Sequence, residues 1–142
     1  MADTIEKDVT RGGQFLVKET KSEDIFTPED FSEEQLMMKQ MVKEFVDKEI
    51  WPNKNRFENK DYAFTEECMK KAGELGLLGV AVPEEYGGLG MGFVSTMLVC
   101  DYISGATGSF STAFGAHTGI GTMPITLYLS LIHISEPTRR YA

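Results

Sequence analysis

The stretch from Glu74 to Gly92 places the strongest constraint on the fold of this chain. It reads ELGLLGVAVPEEYGGLGMG and holds five glycines from Gly79 onward. Glycine at such density is typical of backbone that needs a positive φ or that passes close to another group. Pro83 excludes regular helix and sheet from the same stretch. We therefore predict an irregular turn here, with one helix ending before it and another beginning after it.

Composition and charge exclude several classes of protein. The 142 residues, of which 42% are apolar, suffice for one domain or part of one with a buried core. The formal net charge is −8, and Lys and Arg form no basic stripe of the kind that a nucleic-acid interface or an anionic membrane surface requires. Cys68 and Cys100 do not have the spacing of a metal or redox site. We predict neither a nucleic-acid partner nor a bound metal.

The cysteines and the N-terminus indicate the cellular compartment of the protein. Two isolated thiols are typical of a reducing compartment, and we expect Cys68 and Cys100 to be buried. Residues 1–21 lack the apolar segment of a signal peptide. No apolar run reaches the ~20 residues of a membrane-spanning helix. The sequence therefore predicts a cytoplasmic protein.

A capping motif and an apolar stripe predict the first helix. Ser32 and Gln35 have the spacing of a capping box, in which each side chain accepts a hydrogen bond from the other residue's backbone N–H. Apolar side chains then recur every three or four residues over about 18 residues. The members of this stripe are Met38, Met41, Val42, Phe45, Val46 and Ile50. Pro52 should end the helix, and the charged residues 53–62 should be exposed.

A second helix should begin near Thr65, a residue type that caps helix N-termini. Phe64 and Met69 then have the spacing of a hydrophobic staple. Gly76 is expected in the left-handed conformation after the last turn of this helix. Residues 80–82 should be extended, because a proline follows them and disfavours helical backbone at the preceding residue.

Two further helices should follow the glycine-rich turn. Residues from Phe93 to Ser104 are apolar on nearly all sides, which predicts a buried helix. Gly105 and Gly108 should separate it from a stretch of small residues that ends at Ile120. If that stretch is helical, one of its faces carries Ala113, Ala116 and Ile120, and the adjacent positions carry Gly115 and Gly119. Such a face either leaves a groove or lets another helix approach closely, and the sequence favours neither alternative.

Three motifs that could carry chemistry are rejected. The glycines from Gly87 to Gly92 do not fit a dinucleotide-binding loop, because Phe93 stands where the third glycine is needed. His117 has no Ser, Cys or carboxylate at the spacing of a catalytic triad, so we interpret it as structural. Asp101 is expected to be a paired or edge residue. We assign no catalytic and no cofactor-binding residue.

Residues 76–90 resemble the signature region of the N-terminal helical domain of the acyl-CoA dehydrogenase family. The order of elements agrees over residues 31–128, with residues 1–30 as an N-terminal arm. The run from Phe114 to Gly121 is similar to the very-long-chain branch of that family. The resemblance implies an all-α fold, an incomplete helical bundle of this N-terminal domain.

The resemblance also implies a function for the parent protein. Members of the family use FAD to oxidise a fatty acyl-CoA to the trans-2-enoyl-CoA in β-oxidation, and pass electrons to an electron-transferring flavoprotein. A central β-domain holds much of the flavin, a C-terminal helical domain supplies the catalytic glutamate in most members, and the enzymes are homo-oligomers. The N-terminal domain contributes a wall of the acyl pocket, which here implies four substrate-binding residues, namely Gly115, Ala116, Gly119 and Ile120. The chain alone is expected to be inactive, and the turn at residues 74–92 is expected near the acyl-CoA cleft.

The resemblance ends near Tyr128. Residues from Leu129 to Arg139 resemble the translation of a sequencing adapter, so we interpret residues 129–142 as a non-native tail and the chain as truncated. His133 and Glu136 then have no functional meaning. The alternative is a divergent natural tail.

Two other functions remain open at this point. The chain could be the corresponding domain of an acyl-CoA oxidase, which would differ from a dehydrogenase in its electron acceptor. It could also be a free-standing helical interaction module whose partner binds the methionine-rich face of residues 36–46, since methionine-rich surfaces adapt to different partners.

Overall fold

The computed structural model of the chain describes residues 9–10 and 12–128. The interpretation of residues 129–142 as a non-native tail, and the first part of the predicted arm, lie outside the described residues. The internal contacts divide the chain into two units at the boundary between Met37 and Met38, and each unit is described by itself. None of the described helices has the length and apolar character needed to traverse a lipid bilayer.

The first unit consists of short turns. Its 3-10 turns are Gly12–Leu16, Ser22–Asp24 and Pro28–Asp30. The backbone N–H of Thr10 donates to the carbonyl of Asp24 over 2.8 Å, which closes a loop between them. Phe15, Leu16 and Val17 are exposed within this loop.

The described residues contain six α-helices and no strand, which confirms the predicted all-α fold. The helices are α1 (Glu33–Phe45), α2 (Lys54–Glu58), α3 (Tyr62–Glu74), α4 (Phe93–Ser104), α5 (Gly108–Gly115) and α6 (Met123–Tyr128). Widened π-helical turns follow α1 at Val46–Ile50 and follow α5 at Ala116–Thr122. Short 3-10 turns occupy Trp51–Asn53, Leu77–Gly79 and Glu84–Tyr86.

The predicted first helix is confirmed. The N–H of Gln35 donates to Ser32 Oγ over 3.2 Å, and the N–H of Ser32 donates to Gln35 Oε1 over 2.9 Å, as in a capping box. Helical backbone continues through the π-helical turn to Ile50. Every member of the predicted apolar stripe is buried except Met41, which is partly buried.

For the following segment, the predicted N-cap is wrong and the predicted exposure holds for most residues. The N-cap of α3 is Asp61 and not Thr65, because Asp61 Oδ1 accepts a hydrogen bond from the N–H of Phe64 over 3.1 Å. Phe64 therefore lies inside the helix, where its ring contacts that of Phe57 at 5.2 Å. Residues 53–62 are mostly exposed, as predicted, but they include α2, which buries Phe57.

The glycine-rich turn folds back on itself. Gly76 has a φ of +75°, which confirms its predicted left-handed conformation. The prediction that residues 80–82 are extended is wrong: Val80 has helical backbone, and the N–H of Val82 closes a tight turn on the carbonyl of Gly79 over 3.1 Å. A Cβ on Gly88 would lie 2.0 Å from the carbonyl oxygen of Val82, so only glycine fits there.

The prediction that α4 is buried on nearly all sides is also wrong. Its buried residues are Ser95, Val99 and Ile103, which form one face. The side chains of Phe93 and Met97 are 75% and 44% exposed. The bounds of α4 agree with the prediction, but the described chain covers only some of the apolar residues of this helix.

Aromatic rings occupy the centre of the second unit. Phe110 of α5 is fully buried. Its ring centroid lies 6.0 Å from that of Phe45, 5.6 Å from that of Phe57 and 6.3 Å from that of Phe114. The N–H of Phe110 donates to Thr107 Oγ1 over 3.2 Å, and this N-cap holds the first turn of α5. The core therefore fixes α5 relative to α1 and α2.

Candidate functional site

The small-residue stretch predicted from the sequence is helical but not uniformly α-helical. After α5, the backbone widens into the π-helical turn Ala116–Thr122 and then continues as α6. Thr122 Oγ1 donates to the carbonyl of His117 over 2.8 Å, five residues earlier, which matches the wider turn. Widened turns of this kind occur frequently at functional sites.

An apolar cavity of about 210 Å³ lies between this stretch, α4 and the glycine-rich turn. Apart from the hydroxyls of Thr96 and Thr118, the thiol of Cys100 and the thioethers of Met97 and Met123, its side chains are hydrocarbon. Its lining consists of Leu77, Leu78, Val80, Ala81, Val82, Phe93, Thr96, Met97, Val99, Cys100, Phe114, Gly115, Thr118, Gly119 and Met123. Thr118 Oγ1 donates to the carbonyl of Phe114 over 2.9 Å. Thr96 Oγ1 donates to the carbonyl of Gly92 over 3.5 Å. Because their protons are used within the helices, these hydroxyls do not demand a polar ligand.

A second, more open cavity of about 230 Å³ lies on the other side of the contact between α4 and α5. It shares Cys100, Phe114 and Gly115 with the first cavity, and Ile103, Ser104, Ser111 and Thr112 complete its lining. The three hydroxyls of Ser104, Ser111 and Thr112 donate to carbonyls of their own helices. This surface is therefore less polar than its residue types indicate.

The structure places the four predicted substrate-binding residues differently. Gly115 lines both cavities and Gly119 lines the first. Ala116 and Ile120 line neither; both are exposed, and 79% of the Ile120 side chain is accessible to solvent. Two of the four predicted residues therefore form part of a cavity wall, and the other two are exposed to solvent.

The sequence placed the turn at residues 74–92 near the acyl-CoA cleft, but it assigned no residue of the opposite wall of the first cavity to the site. That wall comes from the glycine-rich turn, residues 77–82, and from the exposed side of α4. One signal could have identified it. An apolar helix such as α4, which contributes only one face to the core, has another apolar face available for a ligand or a partner.

Ionisable groups are scarce at both cavities. The lining contains one, the thiol of Cys100, and burial raises its pKa. His117 and Asp101 are exposed and line neither cavity. Among the described residues, no cluster of His, Cys, Asp and Glu side chains could hold a metal ion.

The linings of the two cavities do not suit a flavin dinucleotide. A pyrophosphate calls for cationic side chains or free donors, and the lining of neither cavity carries a charged side chain. The hydroxyls there are already engaged with backbone carbonyls. The lining of both cavities is largely apolar, with the Cys100 thiol as its one ionisable group, and suits a hydrocarbon chain.

Comparison with known proteins identifies the family. The sequence profile described as "Acyl-CoA dehydrogenase, N-terminal domain" matches residues 32–130. A "Probable acyl-CoA dehydrogenase" of Bacillus subtilis (strain 168) is 42% identical over 121 residues, which make up 85% of this chain and 20% of that protein. The mitochondrial isovaleryl-CoA dehydrogenase of Solanum tuberosum is 36% identical over 92 residues, 63% of this chain and 22% of that protein.

A solved structure shows the same relationship. An acyl-CoA dehydrogenase from Bacillus anthracis, crystallised in complex with FAD, matches with a TM-score of 0.78 and 42% sequence identity. The match covers 87% of this chain and 21% of that chain. The chain therefore spans about a fifth of the length of these relatives. It belongs to the acyl-CoA dehydrogenase family, and residues 32–130 are the family's N-terminal domain.

Proposed function

We propose that this chain is the N-terminal domain of an FAD-dependent dehydrogenase of long-chain fatty acyl-CoA that acts in β-oxidation. The acyl chain lies along the stretch of Gly115, Ala116, Gly119 and Ile120. One observation carries this proposal: among the described residues, a Cβ added to Gly115 or to Gly119 would meet no atom within 4 Å.

Within the described residues, this observation excludes close helix packing, one of the two alternatives that the sequence left open. If the glycines served close helix packing, an added Cβ would meet a neighbour, as it does 2.0 Å away at Gly88. At Gly115 and Gly119 it meets open space instead. The small residues therefore leave room for something that the described chain does not contain.

The chemistry of the site favours a hydrocarbon occupant. The first cavity, at about 210 Å³, is larger than the roughly 150 Å³ of an apolar protein cavity that binds benzene. Burial of apolar surface contributes about 0.8 kcal/mol per CH₂ group. An unbranched acyl chain gains this contribution at each carbon and needs no polar partner. The small side chains at Gly115, Ala116 and Gly119 leave room for a long chain, as expected of the very-long-chain branch.

The rest of the reaction is assigned to other parts of the parent enzyme. A relative that this chain resembles was solved with FAD, whereas the linings of the two cavities carry no charged side chain for its pyrophosphate. The flavin, the catalytic base, the contact with an electron-transferring flavoprotein and homo-oligomerisation therefore belong to parts that this chain does not span. The chain alone is accordingly inactive. Its two thiols, Cys68 and Cys100, form no disulfide, which supports a cytoplasmic location.

Substitution of Ala116 by Phe in the full-length enzyme that carries this domain tests the acyl assignment. Ala116 is exposed beside the first cavity, on the stretch along which we place the acyl chain. The added ring should obstruct that stretch, so kcat/KM should fall for long acyl chains much more than for short ones. The measurement is the profile of kcat/KM against acyl-chain length. The matched control is Ala63→Phe, at an exposed position of α3, which should leave the profile unchanged.

An Ala116→Phe enzyme with the parental chain-length profile would overturn the assignment. The proposal that the chain alone is inactive is checked separately. The 142-residue chain, incubated with FAD, a long-chain acyl-CoA and an artificial electron acceptor, should show no reduction of the acceptor.

A further inference from the structure

The small-residue stretch and the start of α6 meet the first cavity at intervals of four residues. Gly115, Gly119 and Met123 line it, while Thr122 lines neither cavity. An α-helix has 3.6 residues per turn, so positions four apart drift around the helix by about 40° at each step. In a continuous α-helix, Thr122 and not Met123 would return to the face of Gly115.

The π-helical turn Ala116–Thr122 accounts for this difference. Its hydrogen bonds reach one residue further along the chain than those of an α-helix, so the backbone rotates less at each residue. Met123 follows the turn directly, and its N–H donates to the carbonyl of Gly119 in the α-helical pattern. The widened turn therefore brings Met123 into the cavity wall in place of Thr122.

Two residues beside Met123 favour the widened turn. Thr122 Oγ1 donates to the carbonyl of His117 over 2.8 Å, five residues earlier. A Cβ on Gly121 would lie only 3.1 Å from the carbonyl oxygen of Ala116, again five residues earlier. The turn thus has a hydroxyl that bonds across it and a glycine where its backbone is most crowded.

The side chains along this wall are bulky at the two ends of the series and small between them. Phe114 and Met123 are the ends, and Gly115, Thr118 and Gly119 lie between them in sequence. Phe114 is held in the aromatic core. Met123 is half-buried, and a methionine side chain is unbranched and flexible, so it fills irregular apolar space. Met123 is therefore the bulky group of this wall that lies outside the core.

We propose that Met123 limits the length of the acyl chain that the first cavity accepts, and that the π-helical turn is the element that places Met123 there. This inference rests on the proposed function, since it takes an acyl chain as the occupant of the cavity. It adds a specificity-determining residue that the sequence did not assign to the site. A smaller side chain at this position lengthens the space for the acyl chain, and a larger one shortens it.

Substitutions of Met123 in the full-length enzyme that carries this domain test the proposal. Met123→Ala should raise kcat/KM for an acyl chain about two carbons longer than the parental optimum by roughly tenfold relative to that optimum, because two more CH₂ groups become buried. Met123→Phe should move the optimum to shorter chains. The matched control is Ile125→Ala, since Ile125 is 43% exposed and lines neither cavity.

The pattern of shifts separates a role in specificity from a role in stability. Lost stability lowers kcat/KM at every chain length, whereas a change of cavity length moves the optimum in opposite directions for Met123→Ala and Met123→Phe. Met123→Leu, which conserves side-chain volume, should keep the parental profile. Equal profiles for Met123→Ala and Ile125→Ala would overturn the proposal.

The same profiles distinguish this proposal from the acyl assignment. If Ala116→Phe alters the chain-length profile and neither Met123→Ala nor Met123→Phe does, the acyl assignment stands and the role of Met123 is overturned. If none of the three alters the profile, both proposals are overturned.

A measurement without acyl-CoA checks the position of Met123. The 142-residue chain, with ¹³C-labelled methionine methyl groups, is titrated with benzene, a ligand that apolar protein cavities bind. We expect the NMR signals of Met97 and Met123 to shift, since both residues line the first cavity. The signal of Met38, which is buried in the core and lines neither cavity, should not move. A Met123 signal that stays in place would overturn the proposal.

Discussion

The two halves of the second unit, residues 38–74 and residues 75–128, differ in how completely they cover their apolar side chains. Residues 38–74 carry their charges outward in ion pairs, for example Lys43 with Asp47, and bury their apolar stripe. One ion pair, between Lys71 and Glu49 over 2.8 Å, links α3 to the turn that follows α1. Residues 75–128 contain no Lys or Arg and expose several large apolar side chains. Among their large apolar side chains, residues 38–74 expose two, Trp51 and Tyr62, whereas residues 75–128 expose ten.

The difference shows which half of the second unit covers more of its own apolar surface. Exposed ion pairs contribute little to stability individually, but they keep a helix surface soluble. The second half has no Lys or Arg and so lacks such ion pairs. It packs against the first half through the aromatic cluster around Phe110. Its open surface is also where both cavities lie. The incompletely covered half is therefore the half with the candidate site.

The largest effect is expected where the two halves meet. Phe110→Ala removes a fully buried ring that contacts Phe45 and Phe57, and should lower the free energy of unfolding by about 3–5 kcal/mol. Urea denaturation followed by circular dichroism measures it. Phe93→Ala is the matched control in the uncovered half and should change stability by less than about 0.5 kcal/mol. Equal losses would mean that the second half packs as completely as the first.

A smaller effect separates two kinds of glycine in residues 75–128. Gly88→Ala should destabilise the chain by about 1–3 kcal/mol, because the new Cβ meets the carbonyl oxygen of Val82. Gly115→Ala should leave stability unchanged or raise it by about 0.5–1 kcal/mol, because Gly115 lies in a helix with open space beside it. Thermal unfolding compares them. A Gly115→Ala variant as unstable as Gly88→Ala would show that the groove is closed by packing.

Local chemistry made parts of the fold predictable. The capping box of Ser32 and Gln35 and the left-handed Gly76 depend on neighbours within a few residues, and both were predicted correctly. The choice between Asp61 and Thr65 as N-cap depended on burying Phe64 against Phe57, a contact that no local pattern contains. The π-helical turn at Ala116–Thr122 was not predicted, since small residues permit it without requiring it.

The candidate site was predictable on one side only. Gly115 and Gly119 stood out because glycine is unfavourable inside a helix, and the structure places both beside a cavity. The opposite wall, which includes Phe93 and Met97, could not be assigned without knowing that α4 runs beside α5. An apolar pattern shows that a residue avoids water, but it does not show whether the chain itself, a ligand or another segment will cover it.

The smallest expected effect is on the pH dependence of stability, and it compares one thiol from each half. Burial raises the pKa of Cys68 in α3 to about 11, from an ordinary value of 9.0. The native thiol therefore keeps its proton at pH values where the unfolded chain loses it. Stability from this group is complete below about pH 9 and is lost as the pH rises toward about 11, with a slope of at most about 1.4 kcal/mol per pH unit.

Replacement of each cysteine isolates its contribution. Cys68→Ala should flatten the fall in stability between about pH 9 and pH 11, whereas Cys100→Ala should have a smaller effect, because Cys100 is only partly buried and lines both cavities. Urea denaturation at several pH values gives the slopes. Equal flattening by the two substitutions would mean that the core of the first half excludes water no better than the cavity walls of the second. The unequal result would show that water reaches Cys100, beside the cavities, more readily than it reaches Cys68.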